Sequence, residues 1–250
     1  MLSINKKKLI TQLAQKKQRD IQNMFIAEGS KLVSDLIRGG LKPLYIVGLP
    51  DVIEPFRTDC QDVNDCTETD LKHISQLKTP SKLIAIFHKP IFKPDIENKL
   101  VIVLDEIQDP GNLGTIIRTA DWFGIRHIIC SPTCADAYNP KTIQATMGAI
   151  ARVCVEEVEL ETLFENNLKA DKLPVYGTFL EGENIYRTQV EQQGYIIMGN
   201  EGKGISERLK PFVSHKLFIP SYPVGTITSE SLNVATATAI VCSEFRRRMF

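Results

Sequence analysis

The chain has 250 residues, 43% of them apolar, and Lys+Arg and Asp+Glu are equal at 30 each. That composition supplies a packed core and lacks the charge excess of a disordered chain, and a net charge of zero excludes a global field that would pull the whole molecule onto nucleic acid or membrane. No window approaches the ~18 consecutive apolar residues of a membrane span, and the lysine-rich start has no apolar stretch behind it, so a soluble, cytoplasmic protein is expected.

In chain order, a charged amphipathic stretch runs to about Arg19 and carries Lys6, Lys7, Lys8, Lys16, Lys17 and Arg19; with Arg246 to Arg248 it is one of two local basic clusters. "MFIAEG" reads as a strand and "SKLVSDLIRGG" as a helix, with Ser30 able to cap it and Gly39–Gly40 to stop it. "LYIVG", a polar middle containing "TETDLKHISQL", and the apolar strand "KLIAIFH" complete a small α/β unit over residues 1–88. "KPIFKPDIENK", residues 89–99, carries two prolines and many charges between two strand signals and reads as a linker.

From Leu100 the pattern restarts with "LVIVLDEI", and strand-like runs recur in "HIICSP", "RVCVEEV", "PVYGTFL", "YIIMGN" and "HKLFIPS". Continuous Val/Ile/Leu runs alternating with helix-length amphipathic segments predict a parallel sheet covered on both faces across residues 100–250. The six cysteines (Cys60, Cys66, Cys130, Cys134, Cys154, Cys242) contain no CxxC pair and no zinc-like spacing, so they read as reduced core thiols and no metal is expected.

The unusual residues follow the strands' carboxyl ends, where an open parallel sheet binds ligands. After "LVIVLDEI", Leu113, Ile116, Ile117 and Ala120 form the buried stripe of a helix with Asn112 at or near its cap. Arg118 lies off that stripe and either reaches the carboxyl edge of the sheet or pairs with Asp121 on the surface. Near the C-terminus, Ser229 or Ser231 can cap the helix that includes "NVATATAIVCSEF". The loop "GNEGKGIS", residues 199–206, is neither a P-loop nor a dinucleotide fingerprint, and Glu201 within it would repel a phosphate. Its glycines instead allow positive φ and close backbone approach to a planar or compact ligand.

Taken together, "NLGTIIRTA", "MGNEGKGIS" and "IPSYPVGTITSESLNVATA" resemble, in order and spacing, the three motifs of the SpoU/TrmH family of RNA ribose 2'-O-methyltransferases in the SPOUT superfamily. The resemblance covers residues 100–250, and residues 1–88 look like the ribosomal-protein-like substrate-binding domain that many members carry, chiefly through "FIAEGSKLVSDLI". It implies an α/β fold whose C-terminal segment is threaded into a deep trefoil knot, a homodimer, and S-adenosylmethionine held in the knot largely by backbone groups. Cofactor contacts carry over to Thr178, Gly199, Ile219 and Leu232, and the polar positions associated with catalysis to Asn112, Arg118, Glu201, Ser231 and Asn233. The sequence departs from the family pattern in "SYPVGTITSE", a longer loop over 221–230 beside the cofactor.

The implied substrate is a structured RNA, ribosomal RNA before transfer RNA, with the two basic clusters on its backbone. An arginine does not give up its proton in a protein. Arg118 is therefore expected to clamp the adjacent phosphate and stabilise the developing alkoxide, while phosphate or water takes the proton. Asn112 and Ser231 would orient that guanidinium and the ribose, and Glu201 would hold the glycine loop or Arg118. The alternative, a non-catalytic RNA-binding or ribosome-assembly protein on the same fold, would have lost those polar positions; a nucleotide-dependent oxidoreductase would need the missing fingerprint.

Overall fold

A computed structural model describes residues 2–93, 99–170, 172–223 and 226–247. Residues 94–98 of the expected linker, Val224 and Gly225 of the long loop, and Arg248 lie outside the described residues. The chain divides into two compact units, Met1–Phe92 with Asp136–Arg152, and Lys93–Ala135 with Val153–Phe250.

The first unit begins with α1 (Ile4–Gln12), capped by Ser3, and α2 (Lys16–Gln22), which stops on Asn23 in the left-handed conformation at φ 52°. Then come β1 (Met24–Glu28), α3 (Ser30–Arg38), β2 (Pro43–Gly48), α4 (Pro50–Ile53), β3 (Val63–Asp65), α5 (Glu68–Ile74) and β4 (Leu83–His88). Ser30 is the first helical residue of α3, so Gly29 takes the cap position, and Gly39 ends the helix as expected. The strands form a mixed sheet in the order β1-β4-β2-β3, antiparallel except between β2 and β3.

The second unit starts with β5 (Leu100–Leu104), α6 (Pro110–Trp122) and β6 (His127–Cys130). The chain then leaves it: α7 (Pro140–Thr146) packs on β1, as part of the first unit. β7 (Cys154–Glu157), α8 (Leu160–Lys169), β8 (Val175–Asn184), β9 (Gly194–Met198), β10 (His215–Phe218) and α9 (Val234–Arg247) complete the second unit. Its six strands are all parallel in the order β10-β8-β9-β5-β6-β7.

Every residue of β5 is buried, as a strand covered on both faces requires. Val101 and Val103 face the cluster built with Leu160 and Phe164 of α8, whereas α6 and α9 pack on each other. The predicted stripe on α6 is realised, with Leu113, Ile116, Ile117 and Ala120 all 0% exposed. The strand order reverses between β5 and β9, which opens a crevice at their carboxyl ends.

A buried ion pair fastens the segment 136–152 within the first unit. Arg19, 2% exposed, donates from Nε and Nη2 to Asp136 at 3.2 and 2.6 Å, and its Nη1 donates to the Leu13 and Ala14 carbonyls at the end of α1. Removing either partner leaves a charge buried and unpaired. Arg19→Ala or Asp136→Ala is expected to cost about 3–5 kcal/mol, to be read from the urea unfolding midpoint.

That pair also corrects the expectation of a free basic cluster on α1 and α2. Lys6 is paired with Asp62 and Lys7 with Asp70, each at 2.5 Å, and Arg19 is spent on Asp136. At the C-terminus Arg247 holds Glu244 at 2.9 Å and Arg246 donates to the Phe123 carbonyl. Of the residues named at the start, Lys8 and Lys17 stand exposed without a partner among the described residues.

Candidate active site

The site is assembled where β5, β8, β9 and β10 end. Asp109 caps α6 by accepting the Asn112 N–H at 2.8 Å, with Pro110 in the first turn. Asn112 is therefore not the cap, and its side chain is left for other work. Likewise Asn233, not Ser229 or Ser231, caps α9, its Oδ1 accepting the N–H groups of Ala235 and Thr236 at 3.0 and 3.3 Å.

The remaining polar atoms of these two asparagines join segments far apart in sequence. Asn233 Nδ2 donates to Asn112 Oδ1 at 2.9 Å, and Asn112 Nδ2 donates to Glu201 Oε1 at 3.0 Å. The Asp109 N–H also points at that oxygen, at 3.5 Å. Glu201, beside the N-terminal end of α6, has the sign that the helix dipole favours.

The loop after β9 owes its shape to Asn200, a residue sequence reasoning passed over. Its Oδ1 accepts the N–H groups of Gly202 and Lys203, both at 3.0 Å, and its Nδ2 donates to the Glu106 carbonyl at 2.8 Å. Asn200 and Gly204 also exchange backbone hydrogen bonds at 3.0 and 2.9 Å. The loop closes so tightly that a Cβ on Gly199 would lie 2.2 Å from the Gly204 carbonyl carbon, so the loop itself requires glycine here. The signal for Asn200 is a short amide inside "GNEG", the type that bonds backbone two residues on.

Beside this loop lies a cavity of about 730 Å³, within the usual range for a small-molecule site. Thr178, Gly199, Ile219 and Leu232, the four expected cofactor contacts, all line it, as do Glu201 and Ser231. Asn112 and Asn233 are tied to Glu201 at its rim. The Thr178 hydroxyl is directed to the Ile197 carbonyl at 3.1 Å. Phe179, Leu217, Phe218 and Val234 give apolar walls, while Glu201 and Glu230 add carboxylates and Lys203 and Lys210 add cations. Apolar walls with a few polar groups suit a nucleoside bearing a charged tail, so S-adenosylmethionine fits the residues present.

Arg118 does not line the cavity. It is exposed on α6, about 9 Å along the axis from Asn112 at 1.5 Å per residue, and has no hydrogen-bond or ion-pair partner among the described residues. The surface alternative is not realised either, because Asp121 pairs with Arg126. Away from the cavity, His127, Cys154 and Glu156 bring ligand-type atoms within 4.8 Å of one another. His127 Nε2 lies 2.8 Å from Glu156, and burial, with the Glu156 charge second, pushes the Cys154 thiol up to about 11. That thiol stays protonated at neutral pH, so a metal ion would first have to displace its proton.

Residues 99–243 match the SpoU rRNA Methylase family, and residues 5–85 match an MRM3-like substrate binding domain. The chain is 32% identical over 234 residues to the 23S rRNA (guanosine(2553)-2'-O)-methyltransferase RlmP of Bacillus subtilis, covering 92% of each protein. It is similar to the structure of a putative RNA methyltransferase of the TrmH family from Porphyromonas gingivalis, with 38% identity, 99% coverage of each chain and a TM-score of 0.87. A second similar structure, an AdoMet-bound rRNA methyltransferase from Sinorhizobium meliloti, shares 30% identity over 100% of this chain and 98% of that one, with a TM-score of 0.83.

Proposed function

The chain belongs to the SpoU rRNA Methylase family, and from that premise we propose that it transfers a methyl group from S-adenosylmethionine to a ribose 2'-hydroxyl of ribosomal RNA. The observation that carries this reading is the hydrogen-bonded line Asn233–Asn112–Glu201, which joins all three motifs at the mouth of one cavity. Similarity to a 2'-O-methyltransferase over most of the chain supports the choice of the ribose oxygen.

When bound, S-adenosylmethionine supplies a methyl carbon made electrophilic by its sulfonium. The protein's task is to bring a poorly nucleophilic hydroxyl to it in line and to manage the proton. Ser231, exposed at the cavity and free of the capping role, would orient the ribose. Glu201 and Asn112 hold the glycine loop against the start of α6, so the expected alternative of Glu201 holding the loop is the one the geometry favours. Arg118, with all five N–H groups available, would grip an RNA phosphate and steady the alkoxide, the proton leaving to that phosphate or to water.

A homodimer belongs to the same reading. Trp122 at the end of α6 is 85% exposed and offers a second copy a large apolar ring to bury. Sedimentation at twice the mass of 28.1 kDa would support it. The expected trefoil knot is part of the same proposal; the return of the chain after β10, at one edge of the sheet, to set α9 against α6 supports it.

The reaction is tested by incubating the protein with labelled S-adenosylmethionine and total RNA from a strain lacking it, then mapping 2'-O-methyl stops; label on a base and not on a ribose would refute it. RNA affinity should fall with salt, because Lys and Arg release counterions from phosphates. Substituting both Lys8 and Lys17 by alanine is expected to reduce the log–log salt slope by about 2. Lys6→Ala and Lys7→Ala should leave it unchanged, since those ammonium groups are already paired.

A further inference from the structure

Two consecutive residues after β5 grip both ends of the glycine-rich loop. The Glu106 carbonyl, carried on a left-handed backbone at φ 58°, accepts the Asn200 side-chain amide at 2.8 Å. The Asp105 carboxylate accepts the Ser206 N–H at 2.7 Å through Oδ2, and its own N–H is bonded to the Met198 carbonyl at 2.9 Å. Glu201, held between these grips, is thereby aimed at Asn112.

The second grip is incomplete. Asp105 is 0% exposed, yet its Oδ1 has no hydrogen-bond partner, nor does the buried hydroxyl of Ser206. A buried carboxylate oxygen without a donor is costly, and an uncharged residue of the same shape would avoid that cost. The Arg208 guanidinium stands 4.0 Å from Oδ1 and 3.9 Å from Glu106, while donating to Glu161 at 3.4 Å. A movement of about 1 Å would turn the first of these contacts into a charge-assisted hydrogen bond.

We propose that Asp105 is a positioning residue for the cofactor cavity, and that Arg208 closes onto its free oxygen when S-adenosylmethionine binds, drawing loop 199–206 shut. This rests on the cofactor assignment above. Cofactor binding and the Asp105–Arg208 contact then favour the same loop conformation, so each strengthens the other. The charge on Asp105 is retained because the neutral amide could hold Ser206 but could not recruit Arg208.

Asp105→Asn separates this role from a structural one. The amide keeps the bond to Ser206 and removes the buried charge, so thermal stability should be unchanged or higher. Affinity for S-adenosylmethionine, measured by calorimetry on the full chain, should fall about tenfold or more, and amides 199–206 should lose their cofactor-dependent protection from hydrogen exchange. Arg208→Ala, a substitution at the surface, should weaken binding similarly, Arg208→Lys should recover part of it, and the double variant should bind no more weakly than Asp105→Asn alone. Wild-type affinity in either single variant, or additive losses in the double, would overturn the proposal. If Asp105→Asn fails to fold, the two Arg208 variants and their exchange profiles decide. A wild-type protein that binds no S-adenosylmethionine would instead overturn the cofactor assignment, and this proposal with it.

Discussion

Arg118→Ala is expected to lower the rate of methyl transfer by about 10²–10³-fold, the usual consequence of removing a group that stabilises developing negative charge. Affinity for S-adenosylmethionine and thermal stability should be unchanged, because Arg118 does not line the cavity and has no partner among the described residues to lose. Single-turnover methyl transfer at saturating RNA is the measurement that isolates the effect. Arg118→Lys should recover little: an ammonium is a point charge, whereas a guanidinium presents a planar fork to phosphate. Near-normal turnover in that variant would refute the bidentate clamp. Arg118 lies outside the cavity, so its effect should fall on turnover with bound RNA.

Gly199→Ala is expected to weaken S-adenosylmethionine binding by about 100-fold or more, since displacements of about 1 Å can cost that much in a tuned site. A Cβ at this position would meet the Gly204 carbonyl carbon at 2.2 Å and the Ile205 nitrogen at 2.3 Å, both backbone atoms with no rotamer to yield. The loop would have to open, breaking the Asn200–Gly204 pair and displacing Glu201 from Asn112. Gly202→Ala is the control, because its Cβ would find nothing nearer than Asn200 Oδ1 at 3.8 Å. Calorimetric titration of the two variants should therefore separate cleanly; equal affinities would show that the loop's shape is not what forms the cavity wall.

Much of this was legible in the sequence. The buried strands announced themselves because a strand covered on both faces is apolar at every position, and "LVIVL" became the fully buried β5. The three motifs meet through Asn112, Glu201 and Asn233, but Arg118 of the first, expected at the same pocket, does not line it. Which small polar residue caps a helix was harder to read: Asp109 and Asn112, or Ser231 and Asn233, are equally capable locally, and the choice falls to contacts 89 and 121 residues away. The basic N-terminus misled for a similar reason. Counting lysines is blind to carboxylates, and those that claim Lys6 and Lys7 lie 56 and 63 residues further on. Nothing in local pattern marks Asp105, whose importance comes from where a loop folds back, and Asn200 is marked only by being a short amide inside "GNEG".

The excursion of residues 136–152 carries a consequence for anyone dissecting this protein. The backbone passes between the two units three times, near residues 92, 135 and 152, so neither is a bead on a single string. Cutting the chain ahead of residue 93 would strip Ile143 and its neighbours on α7 of the β1 surface that covers them, leaving the catalytic half with an orphaned greasy helix. A minimal enzyme cut from this chain must therefore shorten that excursion as well as the front, or it will clump.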